Sequence, residues 1–150
     1  MFSRLGKPAL GGFVGTLAMT AMMYMVGPMM GLDMDIAAML GGMLGIGWTG
    51  GLIVHFINGT VLFPPVFALA LQAHLPGGPA VQGTVWGGIL WLAAQLVVMP
   101  MMGAGLFSAQ AGGMMAAAGS LAGHLIYGAL LGRIAGAAPA GSDARVAAHA

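Results

Sequence analysis

Long apolar runs alternate along this chain with short stretches where Gly, Pro, Asp or His gather. Four runs, residues 9–30, 45–67, 81–102 and 114–136, contain no Asp, Glu or Lys, and Arg133 near the end of the fourth is their one Arg. At about 1.5 Å of rise per residue, each is long enough to cross a hydrocarbon core about 30 Å thick. Within the runs, small residues recur at every fourth position. The fourth run has Gly112, Ala116, Ser120, His124, Gly128, Gly132 and Gly136 in this register, and the second has Gly47, Gly51, His55 and Gly59. Gly11 with Gly15 and Gly83 with Gly87 are shorter versions in the first and third. Such faces let membrane helices approach backbone to backbone, so the pattern predicts an all-α transmembrane four-helix bundle with His55 and His124 turned inward.

The connections predict less regular elements. In residues 31–44, Asp33 and Asp35 are placed to cap a short apolar helix over 36–44, lying on or dipping into the outer surface as a lid. The inner loop, 72–80, carries His74, Pro76 and Pro79, and the last loop, 103–113, is rich in Gly and Ala. Pro28 and Pro100 fall at the outward ends of spans one and three. Pro64 and Pro65 read as the inward terminus of span two, where missing N–H groups are tolerated. Residues 1–8 form a basic lead, and 137–150 form a tail that frays.

The two halves repeat each other in order. Pro28-Met29-Met30-Gly31 recurs as Pro100-Met101-Met102-Gly103, and His55-Phe56-Ile57-Asn58-Gly59 recurs as His124-Leu125-Ile126-Tyr127-Gly128. This predicts a duplicated two-helix unit, a parallel repeat about a pseudo-twofold axis along the membrane normal. His124 lies about 15 Å inside its span, near the middle of the membrane. A duplication brings His55 to the same depth, at the repeat interface.

Composition agrees with a membrane protein and narrows the chemistry. Charged residues are 5% of the chain and hydrophobic residues 59%, where a soluble domain has about a quarter charged; mean hydropathy is +0.97. Arg4, Lys7, Arg133 and Arg145 flank the first and fourth spans, so the positive-inside rule puts both termini in the cytoplasm. Span one then reads as a retained signal anchor. The absence of cysteine excludes disulfides, thiolate catalysis and Cys-ligated centres. A net charge of +1 without a basic run argues against nucleic acid as a partner. Lipids, subunits of a membrane complex or a second copy of the chain remain as partners. Asn58-Gly59-Thr60 matches a glycosylation acceptor but lies inside a span. Trp48 suits an outer interfacial belt, Trp86 an inner one, and Trp91 an internal position.

Several readings of the histidine pair stand. The imidazoles can be hydrogen-bonded glue, with Asn58, Tyr127, Gln95 or Ser120 as partners. They can ligate a b-type haem, since small residues at i−4 and i+4, Gly51 with Gly59 and Ser120 with Gly128, leave room for a flat macrocycle. No Arg or Lys near the pair offers itself to haem propionates. The outward bias of the methionines suggests copper handling instead, with Met29, Met30, Met101 and Met102 as soft ligands; transport of a proton or small solute is a related reading. Catalysis is the weakest. Ser120 and His124 share a face, but nothing supplies an orienting acid or an oxyanion hole, and Asp33 with Asp35 suits capping better than acid–base work.

A Gly-rich first span running into Met19-Thr20-Ala21-Met22-Met23, an acidic outward turn, and His-x-x-x-Gly in spans two and four together resemble a family of small four-span bacterial membrane proteins of unknown function. The resemblance covers roughly residues 9–136 and implies the architecture and a bacterial cytoplasmic membrane. It brings no substrate.

Overall fold

The structure, a computed structural model, describes residues 2–32 and 34–137; Asp33 and the tail from residue 138, with Arg145, lie outside the described residues. No strand occurs among the described residues. In chain order the helices are α1 (Leu5–Val26), the shorter α2 (Ile36–Leu44), α3 (Gly47–His74), α4 (Pro79–Met101) and α5 (Gly113–Ala135). All but α2 are long and apolar enough to cross a membrane, which is consistent with a multi-pass membrane protein.

Glycine contacts fix how the helices run. Gly11 and Gly15 of α1 lie against Leu131 and Tyr127 of α5, and Gly83 and Gly87 of α4 against Gly128 and His124 of α5. Residue numbers rise on one helix as they fall on the other, so both pairs are antiparallel. Gly12 against Gly59, and Thr20 against His55, make α1 and α3 antiparallel as well. At the α4–α5 seam a Cβ on Gly83 would overlap the Gly128 carbonyl oxygen, and one on Gly87 the His124 carbonyl oxygen. This is the backbone-to-backbone approach that small-residue faces permit. α2 docks on α3 the same way, Gly41 against Gly47 and Gly51 against Ala37.

Four π-helical turns interrupt the long helices, Met22–Val26, Asn58–Leu62, Phe67–Leu71 and Ala94–Val98. All but Phe67–Leu71 end two residues before a proline: Pro28, Pro64 and Pro100. A proline inside an α-helix removes an N–H and presses its ring on the carbonyl four residues back; a π turn inserts one residue and shifts that carbonyl aside. The chain therefore passes through Pro64-Pro65 instead of ending there. α3 runs on to His74 and takes in Gln72–His74, which the sequence pattern assigns to a loop. In π register the missing N–H of Pro64 orphans the Gly59 carbonyl, and the Tyr127 hydroxyl of α5 donates to it at 2.8 Å. Polar groups of neighbouring helices are what make such prolines tolerable in an apolar environment.

The two ends of the bundle differ. Away from α2, a core of Phe67, Trp86, Tyr127 and Leu131 is closed. Trp86 is 5% exposed and stacks on Phe67 with ring centroids 6.4 Å apart, so it is a core residue and not part of an interfacial belt. It shares a face with Gly83, and the close α4–α5 approach pulls that face inside. Toward the α2 end, α3 and α4 separate and a cavity lies between them.

Candidate functional site

His55 sits one turn before the π turn of α3, and His124 lies midway along α5. By helical rise they are about 12 and 17 Å inside the α2-side ends of their helices, a difference of less than one turn. Hydrogen-bond partners fix where each neutral ring carries its proton. The Thr20 hydroxyl donates to the Thr16 carbonyl at 2.7 Å, and while it does so it accepts from His55 Nε2, 3.1 Å away. His55 is therefore protonated on Nε2 and keeps a lone pair on Nδ1. The Ser120 carbonyl lies 2.8 Å from His124 Nδ1 and can only accept, so His124 is protonated on Nδ1 and keeps its lone pair on Nε2. Neither lone pair has a partner among the described residues, and neither nitrogen is among the sealed unpartnered atoms, which are Thr60 Oγ1 and Trp86 Nε1.

Both histidines line one cavity of about 530 Å³. Its wall is mostly apolar, from Met19, Met22, Met23, Leu90, Ala94 and Met99 among others, with Asn58, Ser120 and Thr16 as polar additions. A pocket of this size, apolar with a few placed polar groups, has the dimensions of a site for an organic molecule; a bare metal ion needs far less room. Among the described residues no Lys or Arg lines it. Among the described residues no group of three or more His, Cys, Asp or Glu is placed to hold a metal ion.

The candidate residues divide. His55, His124, Gly59, Ser120, Asn58, Tyr127 and Met30 all reach the cavity. Space beside Gly51 is taken by the α2 backbone, and space beside Gly128 by Gly83. Gln95 stands behind the wall, fully buried: it accepts from Ser108 at 2.9 Å and lies 3.5 Å from the Ser120 hydroxyl. Met29 is 86% and Met101 69% exposed, and neither they nor Met102 line the cavity. Beside Met30, the methionines that share a wall with the histidines are Met19, Met22, Met23, Met34, Met99 and Met115.

Two supports were missed in the sequence. Ser108 reaches Gln95 because Phe107 and Ser108 adopt positive φ, 50° and 56°, a costly conformation for side chains other than glycine; an isolated Ser in a Gly- and Ala-rich loop carries little signal. The other is a latch at the cavity mouth. Asp35 caps α2 by accepting from the Ala38 N–H at 2.9 Å, and it also accepts from the Tyr24 hydroxyl at 2.5 Å and Trp48 Nε1 at 2.8 Å. Burial alone would raise the Asp35 pKa, but these donors outweigh it and hold the carboxyl below its ordinary 3.8. One carboxylate thus ties the end of α1 and the starts of α2 and α3 together. Only its capping role is legible from spacing.

No curated protein and no solved structure matches the chain. Residues 3–145 match the profile of a family described as a family of unknown function, DUF6789, and a chain with its fold and its histidine-lined cavity thus belongs to that family.

Proposed function

We propose that this is a non-catalytic, multi-pass protein of the bacterial cytoplasmic membrane that binds an apolar organic ligand in the cavity between α3 and α4, with His55 and His124 holding the ligand's polar end. The observation that carries this reading is the cavity, about 530 Å³ and mainly apolar, with two unpartnered imidazole nitrogens at its wall. Placement of both termini in the cytoplasm follows from Arg4, Lys7 and Arg133 with the four-helix count. A duplicated origin is supported by the π turns Met22–Val26 and Ala94–Val98, which stand at the same spacing as Pro28 and Pro100. The glycine contacts depart from strict equivalence, since Gly12 and not Gly11 meets Gly59.

Ser120 is not an activated nucleophile in this reading. His124 Nδ1 already carries a proton given to the Ser120 carbonyl, so the nitrogen nearest the hydroxyl, 3.4 Å away, has no lone pair to act as a base. A metal-containing macrocycle is the second reading, because a ring N–H locked on a backbone carbonyl is how ligating histidines are commonly oriented. Against bis-histidine ligation, His55 Nε2 is engaged by Thr20, and no cation among the described residues lines the wall for propionates.

The test is an absorption spectrum with metal analysis on detergent-purified protein, alongside a cavity-blocking Ala94→Trp variant. A colourless parent that carries an organic ligand, displaced in the variant without loss of fold, supports the main reading. A Soret band abolished by His124→Ala moves the assignment to haem.

A further inference from the structure

We infer that the cavity selects a ligand whose polar end brings two hydrogen-bond donors, of the membrane-soluble hydroquinone type, over the corresponding acceptor-only quinone. This rests on the proposed reading of the cavity as an organic-ligand site. The reasoning is donor–acceptor counting. A neutral histidine can present either face of its chemistry, N–H or lone pair, and which one it presents depends on what its other nitrogen does. Here both choices are already made by the protein. Thr20 has spent its proton on the Thr16 carbonyl and draws the His55 proton to Nε2; the Ser120 carbonyl draws the His124 proton to Nδ1. What remains at both rings is an acceptor, Nδ1 of His55 and Nε2 of His124.

A ligand carbonyl opposite either nitrogen would set lone pair against lone pair. To accept it, His55 would have to draw the Thr20 proton away from the Thr16 carbonyl, or His124 would have to give up its bond to Ser120. Two hydroxyls meet both nitrogens without any rearrangement. The rest of the wall fixes the ligand's body: it is apolar and rich in methionine, whose flexible thioethers adapt to flat or irregular shapes. The volume exceeds what a single aromatic ring fills, leaving room for the start of an apolar tail. α3 and α4 touch at Phe67 and Trp86 and separate above them, so the tail can lie between these helices toward the acyl chains.

Calorimetric titration of the full-length protein in detergent tests this, using a decyl-tailed benzohydroquinone kept reduced without oxygen, the matching benzoquinone, and the dimethyl ether of the hydroquinone. The expected result is hydroquinone binding about tenfold or more tighter than either of the others, the effect of facing a buried acceptor with another acceptor. His55→Phe and His124→Phe should each erase most of the preference. Thr20→Val removes the group that holds the His55 proton on Nε2, so that ring becomes free to donate; quinone affinity should rise and the preference narrow, with the protein still folded by circular dichroism. Equal affinities, a preference for the quinone, or no binding of any probe by folded protein would each overturn the donor inference. If in those cases the protein still retains some other apolar molecule, the cavity reading survives; if it retains none, both fall.

Discussion

The α4–α5 seam and the α3–α4 gap are built from similar sequence, small residues every fourth position on apolar helices, yet one is closed and the other open. At the seam, Gly83 and Gly87 meet the backbone of Gly128 and His124 with no room for a methyl group. In the gap, the corresponding stripe of α3 is diverted. Gly51 is used by α2, Gly59 faces Gly12 and Thr16 of α1, and His55 is left between them on the cavity. A small-residue face therefore specifies close packing but not the partner. The partner is set by what else competes for the face, here a short helix docked by its own glycine and a π turn that redirects α3.

The largest effect expected from this contrast is at the seam. Gly83→Ala and Gly128→Ala should each cost about 1–3 kcal/mol, the usual range for overpacking a close contact, measured by unfolding in mixed detergent. Gly88→Ala, on the same helix with only the Leu125 side chain near, at 4.0 Å, should be neutral or slightly stabilising, since Ala favours helix over Gly. Equal losses at Gly83 and Gly88 would remove the distinction between a packing face and a lipid face.

Next is the joint that redirects α3. Tyr127→Phe leaves the Gly59 carbonyl without its donor and should cost about 1 kcal/mol. Replacing Pro64 by Ala restores an N–H that can reach that carbonyl. In the Pro64→Ala background, Tyr127→Phe should then cost distinctly less. A double-mutant cycle with no coupling between the two positions would show that the hydroxyl and the proline are unrelated.

The latch at the gap's mouth should give the smallest effect. Because the Asp35 carboxyl is held below its ordinary pKa, its contribution is complete above about pH 4 and is lost as pH falls through the depressed value. Its partial exposure keeps that contribution small, about 1 kcal/mol or less. Trp48 fluorescence should report α2 loosening on acidification, and Asp35→Ala should show the loosened signal at neutral pH. A pH-independent signal would mean the latch does not hold the mouth.

Much of the architecture was legible from composition and spacing. Low charge and four long apolar runs give the four helices, Asp35 three residues before Ala38 gives the cap, and the i+4 glycines give the seam. What was not legible came from competition between elements. Pro64-Pro65 looks like a helix end because the rule against internal proline is local, whereas its remedy, a π turn and the Tyr127 hydroxyl, comes partly from another helix. Trp86 looks like a belt residue by its depth, but the Gly83 and Gly87 contacts turn its face inward. His55 and His124 were identifiable from their place on small-residue faces. Their proton positions were not, since these depend on Thr20 and on a backbone carbonyl. The soft-ligand reading drew on Met29 and Met101, which are exposed and line no cavity with the histidines, because outward bias along the chain does not say which side of a helix a methionine occupies.

The most direct test of the central claim is to extract the protein from its native membrane into polymer-bounded lipid discs, without detergent, and to quantify by mass spectrometry the small molecules that remain bound. The parent should retain a single apolar species at close to one per chain, and a His55→Phe/His124→Phe double variant, equally folded, should lose it. The same complement of bulk lipids in both, with no species enriched in the parent, would contradict a ligand held by the histidine pair.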